Sequence, residues 1–307
     1  MTTFGDGVYQ YGGEPVGGAR FTNPWATTYF VDYDNGSAGN QGLKPQEAVT
    51  LPSEAVSLAS AGDIIYVRPR PPGTDNSDVG QYADQILIPE AKYQLSMIGV
   101  NHGYNQFHGP FVRYATSGYV VDVSAPAFHL ENMCIHKGGS ITGAIRLRGV
   151  SGYATLAGSC SSTIENCQIR YGKLHVDGGY HTTVRNCLFK SSAPAVYYDA
   201  STLPTQGHRI IGCDFMANNG AALATAYVRL LGSHMEFFIR DCYFDQKTTA
   251  DEYIYATGSN DGTIANCYFN DNDISCGSGA DDEIRIGSGT MSAVGCYDNS
   301  GSIIVHS

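Results

Sequence analysis

Tryptophan occurs once in this 307-residue chain, at Trp25, and charged side chains make up only 15% of it. Basic residues are the scarcer sign, 18 against 29 acidic, for a net charge of −11. An acidic surface repels a phosphate backbone, which argues against a nucleic-acid partner. No stretch approaches the ~20 consecutive apolar residues of a membrane-spanning helix, so no membrane partner is expected. Met1 to Tyr9 has no basic segment followed by an apolar run, and no secretory signal is read there. There is no CxxC or Cys/His zinc spacing, no HxH or HExxH, no GxSxG elbow and no phosphate-binding glycine loop. These gaps predict neither cofactor nor metal and leave no catalytic residues to assign.

What is present is glycine (37), tyrosine (21) and nine cysteines. A chain rich in Gly, Ser, Thr, Asn and Tyr suits many short strands with tight bends rather than long helices. Nine is an odd number for a disulfide framework, so the cysteines are read as reduced, buried and small.

Their spacing says more than their number. One phrase recurs: Ile164-Glu165-Asn166-Cys167-Gln168-Ile169, Val184-Arg185-Asn186-Cys187-Leu188-Phe189, Ile210-Ile211-Gly212-Cys213-Asp214-Phe215. It continues as Ile239-Arg240-Asp241-Cys242-Tyr243-Phe244, Ile264-Ala265-Asn266-Cys267-Tyr268-Phe269 and Ala293-Val294-Gly295-Cys296-Tyr297. Two earlier copies carry Met133 and Val100 in the cysteine slot, after Asn132 and Gly99. The slots recur at intervals of 20 to 34 residues. In a plain strand, first and third positions share a face. Here first, fourth and sixth are apolar, so alternation skips one residue at the third. That residue is always Asn, Gly or Asp, the types that most readily enter the left-handed backbone region. The expected structure is all-β, a solenoid in which Val100, Met133, Cys167, Cys187, Cys213, Cys242, Cys267 and Cys296 form an internal column. Gly99, Asn132, Asn166, Asn186, Gly212, Asp241, Asn266 and Gly295 form a column of bends. Eight coils stacked at about 4.8 Å give a rod roughly 40 Å long. The same register turns Cys134 outward.

Ahead of the repeats, Tyr29–Asp34 is followed by Asn35-Gly36, by Gly42-Leu43-Lys44-Pro45, and by a helical pattern across Leu51–Ser60. There Leu51, Ala55, Leu58 and Ala59 share one face. Gly62-Asp63-Ile64-Ile65-Tyr66-Val67 then opens a strand. This opening strand, Asn-Gly turn, GLxP corner, short helix and GDxIxV coil resemble the pectate-lyase-like right-handed parallel β-helix superfamily, over residues 27–300. The resemblance implies a right-handed parallel β-helix with a short N-terminal capping helix. Residues 1–26 read as an extended N-terminal arm, 27–70 as opening strand, capping helix and first coil, and 71–307 as coils with insertions, including 71–94 and 101–128. An arm on an acidic β-helix without a secretory signal is similar to bacteriophage virion proteins such as capsid decoration proteins, tail spikes and fibres. That likeness implies a homotrimer on the capsid surface, assembled in the host cytoplasm, its arm contacting a major capsid protein or other virion protein. A tail spike or fibre that binds, or binds and cleaves, a bacterial surface polysaccharide is the alternative, and a cellular β-helix lyase or adhesin is a third.

Outward columns are where a solenoid shows its chemistry. The position after the last apolar residue of the phrase gives His136, Arg170, Lys190, Met216, Asp245, Asn270 and Asn299. Three successive basic groups could grip an acidic sugar. Glu131 and Glu165 share a column, where splaying into water is favoured over holding calcium. Asp214 and Asp245 on neighbouring coils fit the ~6.5–9.5 Å spacing of an inverting glycosidase pair, though any acidic rod offers such pairs. Tyr243, Tyr268 and Tyr297 form an aromatic column, better suited to a subunit interface than to stacking sugars.

Overall fold

The computed structural model describes residues 10–11, 14–15, 25–70, 80–100, 109–149, 160–190, 194–200, 205–216, 226–245, 252–271, 274–277 and 283–304. Most of the proposed arm lies outside these residues. Within it, Gln10–Tyr11 pairs antiparallel with Glu14–Pro15.

From the coil of Ile64–Val67 onward, the described strands fall into three parallel sheets. In one coil, Thr163–Glu165 lies in sheet I, Gln168–Arg170 in sheet II and Leu174–Asp177 in sheet III. The next coil repeats this: Thr183–Arg185, Leu188–Lys190 and Val196–Asp199 pair in parallel with those three strands, residue for residue. Sheet I runs from Thr28–Val31 to Ser292–Val294, sheet II from Gln81–Tyr82 to Tyr268–Phe269, and sheet III begins at Ile86–Ile88. The chain is thus a right-handed parallel β-helix. Segments 71–94 and 101–128, expected as loops, instead supply strands of sheets II and III at Gln81–Tyr82, Ile86–Ile88, Phe111–Tyr114 and Tyr119–Val123.

The bend sits between sheets I and II. Asn132, Asn166, Asn186, Asp241 and Asn266 have φ between 51° and 56°, and Gly212 and Gly295 have φ of 61° and 62°. Met133, Cys167, Cys187, Cys213, Cys242, Cys267 and Cys296 follow, all buried in the main core. Each thiol also donates to the carbonyl two residues back, across the bend, as from Cys167 to Glu165 O (3.1 Å) and from Cys242 to Arg240 O (3.2 Å). A cysteine therefore fills a narrow slot and meets a bent carbonyl, which no aliphatic side chain could do. All nine cysteines are free and buried.

Gly99 and Val100 depart from this pattern. Gly99 is the last residue of the strand Ser96–Gly99, pairs with Val67, and is not among the positive-φ residues. With no skip, alternation carries Val100 to the face of Ile98. It packs in a separate cluster with Phe30, Ile64, Tyr66 and Ile98 and does not join the column headed by Met133. Glycine is needed at 99 for another reason: a Cβ there would lie 2.1 Å from Asn132 O.

The helix spans Pro52–Leu58, with Glu54 accepting from the backbone of Thr50 (2.9 Å) and Leu51 (3.0 Å). Its buried face is Pro52, Ala55 and Val56, continued by Ala59; Leu58, expected inside, is 44% exposed. The helix packs against strands of sheets I and III at the start of the stack. Asp63 anchors that end by accepting from Ser60 N (2.6 Å) and Thr27 N (2.8 Å). Asp32 accepts from the Asn35 side chain (3.0 Å) and pairs with Arg68 (2.6 Å).

Candidate functional site

On sheet II, parallel pairing puts Arg113, His136, Arg170, Lys190 and Met216 in one outward column. Arg113 had escaped the sequence reading because its strand, Phe111–Tyr114, does not directly follow the phrase at Gly99-Val100 as the later strands of sheet II follow theirs. His136 is not a cation here. Burial, with Arg170 and Arg113 alongside, depresses its pKa to about 4, so at neutral pH the cations are Arg113, Arg170 and Lys190.

The neighbouring column holds Phe111, Cys134, Gln168, Leu188, Asp214, Tyr243 and Tyr268. Cys134 has the outward register but is covered, 1% exposed. Its thiol donates to Gln168 Oε1 (3.4 Å), and burial pushes its pKa up to about 12. The Tyr243 and Tyr268 rings stack with centroids 5.6 Å apart and planes 7° from parallel. Tyr297 continues the column through a parallel bridge to Tyr268, and these two rings are 45% and 37% exposed. Asp214 pairs with Tyr243, and Asp245 follows two residues later, accepting from Asn270 Nδ2 (3.2 Å). Burial raises the Asp214 pKa.

On sheet I, Glu131 and Glu165 are in register. They do not splay into water, for Glu131 is 2% exposed. His129 Nε2 lies 3.9 Å from Glu131 Oε2 and 3.7 Å from Glu165 Oε2, and Arg185 Nη2 pairs with Glu165 at 2.5 Å. His129 and then Arg185 hold the Glu165 carboxyl down at about 2, against the opposing pull of burial.

Sheet III carries a third column that sequence reasoning missed: Asp122, Arg146, His175, Tyr197, Arg229, Tyr255 and Arg285. Its strands lie outside the repeated phrase, at variable distances after it. The available signal was their own period of two, as in Leu174-His175-Val176-Asp177 and Val196-Tyr197-Tyr198-Asp199. Arg229 lies over the Tyr197 ring (5.6 Å) and the Tyr255 ring (5.7 Å), and Arg285 over Tyr255 (5.1 Å). At the other end Asp122 receives Arg146 (2.7 and 3.1 Å) and the Arg148 guanidinium. Burial alone would raise the Asp122 pKa, but hydrogen bonds from Arg148 and Arg146 lower it.

No family model matches the chain, and no curated protein matches it. Solved structures do. A pectin methylesterase from carrot superposes with a TM-score of 0.55 at 9% identity, covering 91% of this chain and 85% of that one. A pectin methylesterase from Aspergillus niger gives 0.51 at 12% identity, covering 90% and 87%. ORF18 of Geobacillus virus E2 gives 0.39 at 14% identity, covering 78% and 54%. The fold that this chain shares with the two pectin methylesterases is the right-handed parallel β-helix, a scaffold that hosts unrelated functions.

Proposed function

We propose that the chain is a structural protein of a bacteriophage virion, a homotrimeric capsid decoration or cement protein. The observation that carries this reading is the exposed aromatic and apolar strip on the C-terminal coils. Tyr268 and Tyr297 stand 37% and 45% exposed in one column of sheet II, with Met216 (38%) in the flanking one. Flat, half-apolar aromatics in register suit the contact between identical rods, because they supply large area at little cost in side-chain freedom. The arm, residues 1–26, is assigned the contact with a major capsid protein or other virion protein at the capsid surface. The buried, reduced thiols fit assembly in the host cytoplasm.

The test is the solution mass of the full chain, measured by light scattering beside a Tyr268→Glu/Tyr297→Glu double variant. A mass of three chains that falls to one in the variant, with unchanged circular dichroism, supports the reading. A monomer at all concentrations overturns the trimer. Binding to capsids that survives loss of residues 1–26 overturns the role of the arm.

A second reading has its own observation. Arg146, Tyr197, Arg229, Tyr255 and Arg285 stand in one column of sheet III, and planar rings beside guanidinium groups suit a glycan bearing carboxylates. It assigns the chain to a tail spike or fibre that binds a bacterial surface polysaccharide. Retention of the chain on immobilised host polysaccharide, lost in Tyr197→Ala and Arg229→Ala, would favour it over decoration.

A further inference from the structure

We propose that His175, Asp177 and Asp199 form a three-ligand site for a divalent transition-metal ion of the zinc type on the outer face of sheet III. One ligand atom from each lies within 4.8 Å of the other two. His175 Nε2 is 3.9 Å from Asp199 Oδ2. Bonds of roughly 2.0–2.1 Å to a tetrahedral ion place ligand atoms about 3.4 Å apart, so small side-chain rotations close the site. Asp177 and Asp199 are directly paired on adjacent coils, and His175 is two residues before Asp177 on the same strand and face.

The imidazole is already oriented. Tyr119 Oη lies 2.7 Å from His175 Nδ1, and the Tyr197 ring stacks on the imidazole at 4.9 Å. Nε2 is buried and has no hydrogen-bond partner among the described residues. If Nδ1–H donates to Tyr119, the Nε2 lone pair points at the two carboxylates, which is how an outer hydroxyl fixes a metal-binding histidine.

Charge separates this cluster from the other histidine–carboxylate group. At Glu131 and Glu165, Arg185 already pairs with the Glu165 carboxylate. Arg146 and Arg148, on the same sheet, are both engaged by Asp122. Two carboxylates paired across adjacent coils, with an imidazole nitrogen beside them, concentrate negative charge that a divalent cation would offset. The nitrogen ligand selects a zinc-like ion over calcium, which prefers six to eight oxygens.

The test is calorimetric titration of the EDTA-stripped full chain with Zn2+ and, separately, Ca2+. One equivalent of Zn2+ is expected to bind. Asp177→Asn and His175→Gln should each weaken it at least tenfold, and His129→Gln should leave it unchanged. Should His175→Gln disturb the fold, histidine-selective NMR of the unaltered chain gives the same answer, since Zn2+ should move one Nε2 resonance of a ring protonated at Nδ1. No saturable Zn2+ binding, binding indifferent to both substitutions, or equal preference for Ca2+ overturns the site.

Discussion

Phe215 and Phe244 stack with ring centroids 4.6 Å apart and planes 3° from parallel. The stack continues to Phe189 (5.0 Å) on one side and Phe269 (4.7 Å) on the other. Each ring is the sixth residue of its phrase, so the column follows from register alone. Phe244→Ala should cost about 3–5 kcal/mol, because it removes a fully buried ring flanked by two others. Phe238→Ala, at a ring 44% exposed, should cost far less. Guanidinium unfolding of both variants measures the contrast, and equal costs would deny the column its place in the core.

Replacing a bend asparagine tests the left-handed turn. Asn166 has φ of 51°, so Asn166→Ala should lose about 1 kcal/mol while Asn166→Gly stays near neutral. Gly99→Ala should be worse than either, since the added methyl meets a backbone carbonyl. Thermal unfolding ranks the three.

Acid should weaken the protein well before its carboxylates are titrated. His208 and His234 are buried, and burial lowers their pKa values from 6.5 to about 3 and about 4. Between the unfolded and folded values the unfolded chain binds more protons, so stability is full above pH ~6.5 and falls as pH drops from there towards ~4. Glu165, held near 2, adds a loss lower still as its carboxylate is protonated. Denaturation midpoints at pH 7, 5.5 and 4 should therefore decline steadily; a midpoint flat from 7 to 5 would mean these imidazoles are hydrated or charged in the native state.

The thiols should be silent in the folded protein. Burial raises the pKa values of Cys187 and Cys213 well above the ordinary thiol value, and the thiolate is the reactive form. An aromatic disulfide reagent should label almost none of the nine cysteines until denaturant is added. Rapid labelling of several in native buffer would contradict the internal column.

The coil architecture was legible because the repeated phrase joins two sheets across one bend, and bend chemistry is local. Ile164 through Ile169 contains both strands and the left-handed residue between them. The column failed at Val100 because Gly99 satisfies the composition rule without adopting the conformation; a glycine can mark positive φ or close approach, and only the position of Asn132 decides which. Tyr197 and Arg229 were not legible as neighbours, because the connections that precede them differ in length and hide their register. The burial of Glu131 and the neutrality of His136 depend on what surrounds them in three dimensions, which no pattern of spacing contains.

The helix Pro52–Leu58 closes one mouth of the stack, and among the described residues no helix closes the other. In a structure whose coils touch only their neighbours, the ends are where order is lost first. A lid at one end gives the rod a direction of fraying. Amide exchange should advance as a front from the coil of Cys296 towards that of Met133, much as a rope sealed at one tip unlays from the other.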